Sequence, residues 1–510
     1  MKHEPRPYQR ACGNDIYLAW RTHRRVLAEL ATGLGKSYII GMIAANEAKH
    51  GRRTLCIVHR EELITQLHST MVSMFGLDCS IEKAQDRASL SHSVVVGSVQ
   101  SMAGQRLERF SENHFDVVVA DEAHHSVCDG WKAILDRFEA RTVGFTATGY
   151  RGDRKSLGSI FTDVAYVYNL HDGIKDGWLS PIVAETIPLE IDLSSVKTTQ
   201  GDYDKNELDS AITPYVASMI ETVHEKAPDR NVLSFWPLIK TSQLACEIAN
   251  RIGFKAEHVD GKSPDRRQII DRFKSGETKF LCNSNLLTEG ADIPRTDCIL
   301  VGRPTRSTGL YTQMLGRGVR LFEGKEDCYV PDFLWLTGKH KLIRPVNLAA
   351  DDEEVAAEMQ KQLDKGGAVN IDELEQSAGA SVSHERENKL AQFIEENKHK
   401  AGKIISIEDF GSWCDAEGLA DFGAGNLSSA KDKLPASKSD LARLERHHLP
   451  HEGITRGYAK AICKVLDANQ EKGLPTPRQA ACLTKHKYDP KNYTFETASQ
   501  LITKLAKNWK

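Results

Sequence analysis

The chain has no paired cysteines. Its 11 cysteines stand singly, with no Cys-x-x-Cys anywhere, which excludes a zinc ribbon and argues against a disulfide framework. They read as reduced thiols packed as small hydrophobes. Long apolar runs are missing too. Nothing approaches the roughly 18 residues that a membrane span requires, and Met1-Lys2-His3-Glu4-Pro5 lacks the apolar core of a signal peptide. A dominant charge is also absent. With 67 Lys and Arg against 70 Asp and Glu, the net charge is -3, so a surface for a polyanion has to be local. The expectation is a soluble, cytoplasmic protein with no membrane partner.

What is present is an ordinary globular composition, 40% hydrophobic and 27% charged, on 510 residues. That length exceeds one core and predicts roughly three domains of about 150 residues. Short β-branched runs at 26–30, 54–59, 93–99, 115–120 and 142–145 alternate with helical spacing at 37–49 and 61–75. After polar, irregular sequence at about 150–230, strand patterns return at 231–236, 254–259, 279–283, 298–302 and 328–332. Helical patterns separate these at 242–252, 264–275 and 308–317. Alternation of this kind implies parallel sheets with helices on both faces. The predicted organisation is α/β: two tandem parallel-sheet domains over 1–170 and 171–345, then an acidic linker over 346–380. A mainly helical domain over 381–510, rich in Lys, Arg and His, follows and is the expected place for a protein partner.

Chemistry first appears at Ala31-Thr32-Gly33-Leu34-Gly35-Lys36-Ser37, between a strand and a helix. Glycines let successive backbone N–H groups wrap phosphate oxygens, and the helix presents its positive end to them. In that reading Thr32, Gly33 and Gly35 line the phosphates, Lys36 reaches the β- and γ-phosphates, and the Ser37 hydroxyl ligates Mg²⁺. Leu30 stands where a leading glycine is usual. The second signal is Asp121-Glu122-Ala123-His124, at the end of an apolar strand, where parallel-sheet proteins place their chemistry. Asp121 suits Mg²⁺, and Glu122 suits orientation and deprotonation of an attacking water. Upstream, Gln9 has the side-chain amide that could bond both N6 and N7 of adenine. Together these residues point to ATP and Mg²⁺.

Over roughly residues 5–335 the chain resembles superfamily 2 helicases, and most closely the RadD-like DNA repair helicases and their phage relatives. Ala31–Ser37 looks like motif I and Asp121–His124 like motif II. Thr146-Ala147-Thr148 looks like motif III, Asn283 to Asp292 like motif V, and Gln313 to Arg320 like motif VI. The resemblance implies twin RecA-like domains with ATP in the cleft between them. It also implies arginine fingers at Arg317 and Arg320, with Gln313 near the γ-phosphate and Asp292 near the ribose. His124, Thr146 and Thr148 become coupling residues. Arg60, Ser98, Gln100, Phe235 and Thr288 become contacts to nucleic acid. Gly149 stands where a proline often follows motif III, and the cysteine-rich tail of the RadD-like proteins is absent. The implied activity is DNA unwinding on single-stranded or forked DNA. The alternatives are a non-unwinding duplex translocase of a restriction complex and an RNA helicase, the latter disfavoured because Val58–Gln66 has no Arg-rich motif Ia.

Overall fold

The structure is a computed structural model. It describes residues 4–382 except 60, 148–156, 200, 289–290, 337–341 and 351–352, together with part of 385–507. Contacts divide the chain into two units. One comprises Met1–Leu348 with Gly366–Asp372, and the other Ala349–Lys365 with Glu373–Lys510.

The first unit holds two seven-stranded sheets. The first sheet contains β1 (Arg25–Leu30), β2 (Thr54–Val58), β3 (Cys79–Glu82), β4 (Val94–Ser98), β5 (Val117–Asp121), β6 (Arg141–Thr146) and β7 (Asp163–Tyr168). Its order is β3-β4-β2-β5-β6-β1-β7, with every ladder parallel. Strands β2, β4 and β5 are buried at every position, as continuous Val/Ile runs must be when both faces are covered. Phe110, Phe115, Trp131 and Phe138 build the core on one side, with the Phe115 and Phe138 rings edge to face at 5.1 Å. Removing one such ring costs about 3–5 kcal/mol.

The second sheet contains β8 (Ile182–Asp192), β11 (Val232–Phe235), β12 (Ala256–Val259), β13 (Phe280–Asn283), β14 (Cys298–Val301), β15 (Cys328–Leu336) and β16 (Val369–Asn370). Between β8 and β11 lies a separate hairpin of β9 (Thr198–Thr199) and β10 (Asp202–Tyr203). The order β12-β13-β11-β14-β15-β8-β16 repeats that of the first sheet once the hairpin is set aside. The difference is β16, which runs antiparallel to β8. A repeated order brings the loops after the central strands to the carboxyl edge in both sheets, where parallel sheets bind ligands.

Two expectations are corrected. Residues 150–230 are not irregular: they supply β7, all of β8, the hairpin, and the helices Lys205–Ile212 and Val216–Lys226. Strand β8 was obscured because it alternates, burying Ile182, Ala184, Ile187 and Ile191 while Glu185 accepts from Lys226 and Tyr329. Residues 346–380 are not simply a linker. The helix Glu353–Leu363 buries Val355, Met359 and Leu363 at helical spacing, and the chain then returns to the first unit as β16. In the second unit the described elements are helical, including Lys438–Arg446 and Phe495–Lys507. No helix among the described residues is long and apolar enough to cross a membrane.

Candidate nucleotide site

The loop after β1 turns through Gly33 (φ +91°) and Gly35 (φ +73°), both in the left-handed region that favours glycine. The helix Lys36–Lys49 starts immediately after it. Leu30 is fully buried as the last residue of β1, so the position of the unusual leucine is strand rather than loop. Thr32 is buried and Ser37 half-buried beside it.

The helix Pro7–Ala19 braces this loop. Tyr8 Oη donates to the Leu34 carbonyl at 2.8 Å, and Gln9 Nε2 donates to the same oxygen at 3.3 Å. Gln9 Oε1 accepts from the Arg6 N–H at 3.0 Å, so this buried amide is engaged at both ends. Sequence reasoning missed the aromatic group around it. Tyr8 stacks on Tyr168 with centroids 4.7 Å apart and lies 5.8 Å from Trp178, and the Arg6 guanidinium sits 5.0 Å from the Trp178 centroid. Tyr168 and Trp178 are about 160 residues from Tyr8 in sequence, so only the β1–β7 pairing reveals the group.

Asp121 and Glu122 end β5 at the same edge. Glu122 Oε1 lies 3.5 Å from Lys36 Nζ, with both side chains close to nine-tenths buried. The Lys36 ammonium and Glu122 Oε2 are buried and make no hydrogen bond among the described residues. Buried charged groups normally satisfy such capacity, so its persistence marks a site built for a further polar group. Glu122 also adopts φ +51°, a left-handed conformation that a residue with a Cβ holds only at a cost. Its N–H donates to Asp121 Oδ1 at 3.0 Å. His124 Nδ1 lies 3.5 Å from Glu122 Oε2 and 3.3 Å from Thr146 Oγ1, so the expected coupling residues His124 and Thr146 meet beside the carboxylate. Thr148 lies outside the described residues.

The second domain reaches this site through the helix Thr308–Leu315 and the turn after it. Gly316 approaches so closely that a Cβ there would fall 2.5 Å from Thr32 Cβ, and a Cβ on Gly33 would lie 3.3 Å from Arg320 Cγ. Gln313 is buried in the same helix. Arg320 pairs with Asp292, while its Nε is buried without a hydrogen-bond partner among the described residues. Burial pushes the Arg320 guanidinium below its ordinary value, and Asp292 offsets part of that effect. Asp292, expected at the ribose, is the partner of this arginine.

Arg317, the other expected finger, is engaged within its own domain. It is 3% exposed, and its guanidinium donates to the Thr288 carbonyl from Nε (3.2 Å) and Nη2 (2.8 Å) and to the Ala291 carbonyl from Nη1 (2.7 Å). These bonds tie the two expected motifs, V and VI, together.

The expected nucleic-acid contacts separate further. Phe235 is fully buried at the end of β11, with no exposed ring face in this structure. Ser98 is buried, bonded to Ser101 Oγ at 2.9 Å, and Thr288 is buried with its hydroxyl on the Asn285 carbonyl at 2.8 Å. Gln100 is exposed, and Arg60 lies outside the described residues. Ser98 and Phe235 sit where strands end and Thr288 in a short helical turn after β13, and position in a motif does not reveal which way a side chain turns there.

The chain is similar to known proteins in both domains. Residues 2–151 match the family described as "Type III restriction enzyme, res subunit", and residues 215–322 match "Helicase conserved C-terminal domain". A protein of Saccharomyces cerevisiae described as a candidate ATP-dependent helicase, IRC3, is 32% identical over 368 residues, covering 68% of this chain and 53% of that one. The mitochondrial irc3 protein of Schizosaccharomyces pombe is 30% identical, covering 64% of this chain and 57% of its own. The chain therefore spans just over half the length of these relatives. A solved fragment of a candidate HsdR subunit of a type I restriction enzyme from Vibrio vulnificus YJ016 shares the fold at TM-score 0.53 and 24% identity, covering 65% of this chain and 64% of the fragment. The two matches lie in order along the chain, so residues 2–151 are similar to the restriction-enzyme res-subunit family and residues 215–322 to the helicase C-terminal family.

Proposed function

We propose that the chain hydrolyses ATP to translocate on and unwind DNA, with single-stranded or forked DNA as substrate, in repair, recombination or replication. Within its superfamily we place it near the RadD-like helicases. The observation that carries this reading is the buried Lys36–Glu122 pair with unfilled hydrogen-bonding capacity, with Arg320 of the other domain close to Gly33 of the adjoining loop.

Each residue then has a task. Backbone N–H groups of Thr32 to Gly35 wrap the phosphates, and Lys36 adds a cation. Glu122 orients the attacking water and takes its proton. Arg320 stabilises the charge that develops on the transferred group, a role worth about 10³-fold or more in related chemistry. The acceptor oxygens of Ser37 and Asp121 suit Mg²⁺, which when bound neutralises phosphate charge. Tyr8, Tyr168 and Trp178 offer an apolar wall for a purine next to Gln9. His124 and Thr146 relay the state of this site toward the nucleic-acid face, so that opening and closing of the cleft shifts the grip on a strand.

A second reading, a duplex translocase serving a restriction complex, is favoured by the res-subunit family match. One experiment separates them. ATP-dependent release of a labelled strand from forked DNA supports unwinding. Displacement of a triplex-forming strand from duplex DNA without strand release supports translocation alone. Neither activity, with ATP turnover intact, contradicts both.

A further inference from the structure

The loop after β14, Arg303 to Ser307, takes no part in the site described above. Arg303 is 7% exposed. Its Nη1 donates to the side-chain oxygen of Asn285, in the segment after β13, while Nη2 lies 3.8 Å from Asp202 Oδ2 on the hairpin. Asp202 accepts from Thr305 Oγ1 at 2.8 Å and from the Arg306 N–H at 2.9 Å. Thr305 Oγ1 accepts from the N–H of Ser307 at 3.0 Å, and Ser307 caps the helix that leads to Arg317 and Arg320. On the other side, the Asn285 carbonyl accepts from Thr288 Oγ1, and the Thr288 carbonyl holds Arg317.

A buried cation therefore stands where three segments meet: the hairpin, 284–291 and 303–320. Its placement is poorly explained by stability alone. Among the described residues the one carboxylate paired with it, Asp202, is beyond hydrogen-bond reach, the close bond goes to a neutral amide, and burial disfavours the charge more than Asp202 favours it. Apolar side chains of similar volume commonly stabilise such a position as well or better. What a guanidinium supplies is directed donation. With its oxygen held by Arg303, the half-buried Asn285 amide leaves its NH₂ group with no hydrogen bond among the described residues, available to an acceptor such as a phosphate oxygen.

We propose that Arg303 is a positioning residue that acts through Asn285. It sets the Asn285 amide to hold a strand phosphate, and strand binding there is passed through Thr288 and Arg317 to Arg320. This rests on the reading of the chain as a nucleic-acid-dependent ATPase.

The test measures ATP turnover by the full chain against the concentration of a single-stranded DNA oligonucleotide. Wild type, Arg303→Lys, Asn285→Ala and the double variant are compared, with the melting temperature of each. Lysine keeps the charge beside Asp202 while removing the fork, so the variant retains the local ion pairing. Arg303→Lys should leave the DNA-free rate and the KM for ATP within about twofold of wild type, and raise the half-stimulating DNA concentration about tenfold. The double variant should be no worse than Asn285→Ala, because the two residues act as one unit. Unchanged stimulation in Arg303→Lys overturns the inference. So do additive effects, or an equal fall in DNA-free and stimulated rates accompanied by a lower melting temperature. A wild-type chain that no nucleic acid stimulates removes the functional reading itself, whereas stimulation of the wild type with a normal Arg303→Lys removes only the role of Arg303.

Discussion

The two sheets share one strand order, yet their carboxyl edges are furnished differently. At the edge of the first sheet, Lys36 and Glu122 face each other at 3.5 Å with buried hydrogen-bonding capacity unfilled, on a loop shaped by two left-handed glycines. At the edge of the second sheet most charges are already engaged. Arg317 is held by Thr288 and Ala291, and Asp209 is bound by Thr241 and Lys240. Arg320 keeps its Nε buried without a hydrogen bond among the described residues, and it is the residue that approaches Gly33. Common topology thus supports two different jobs. On the proposed reading, the first domain receives a polyanion and the second carries one arginine to it.

The sharpest way to break that contrast is to compare two arginines three residues apart. Arg320→Ala should lower ATP turnover about 10³-fold with an unchanged melting temperature. Arg317→Ala strands buried carbonyls and should destabilise the fold by about 2–3 kcal/mol, visible in denaturant unfolding. If the two variants exchanged these effects, the division of labour would be wrong. Comparable to the Arg320 effect in size, Phe235→Ala should cost about 3–5 kcal/mol by opening a cavity. Phe235→Leu should leave DNA affinity at the wild-type level in a fluorescence anisotropy titration, whereas a tenfold loss would restore the ring as a contact.

A smaller effect concerns the back of the first sheet. Burial opposes ionisation of Glu47, but hydrogen bonds from Arg52 and Tyr17 and the Arg141 charge prevail and hold its carboxyl below the usual range. A depressed value in the fold means that its contribution is complete above the unfolded value of about 4.3 and is lost as pH falls through the folded one. Melting temperature should fall on acidification below about pH 4 more steeply in the wild type than in Glu47→Gln. Parallel curves would show that the Glu47 cluster is not linked to acid sensitivity.

The parts legible in the sequence were those that local chemistry dictates. Runs such as Val94-Val95-Val96 and Val117-Val118-Val119 can only be strands covered on both faces, and a Gly-x-Gly-Lys-Ser turn between strand and helix has few other uses. What escaped depends on contacts across long separations. Strand β8 carries a polar position within its apolar pattern because Glu185 finds partners in Lys226 and Tyr329. Arg317 and Arg320 belong to one motif, and only the tertiary placement of the Thr288 and Ala291 carbonyls tells them apart. Arg303 gave no signal, because its partners Asp202 and Asn285 lie on separate segments.

The most direct test of the central claim is steady-state ATP hydrolysis, without nucleic acid and with single-stranded DNA, forked DNA, blunt duplex and single-stranded RNA, in the wild type and in Lys36→Ala. The account predicts turnover stimulated most by single-stranded or forked DNA, and a loss of at least about 100-fold in the variant. Turnover that survives Lys36→Ala, or that no nucleic acid alters, would contradict it.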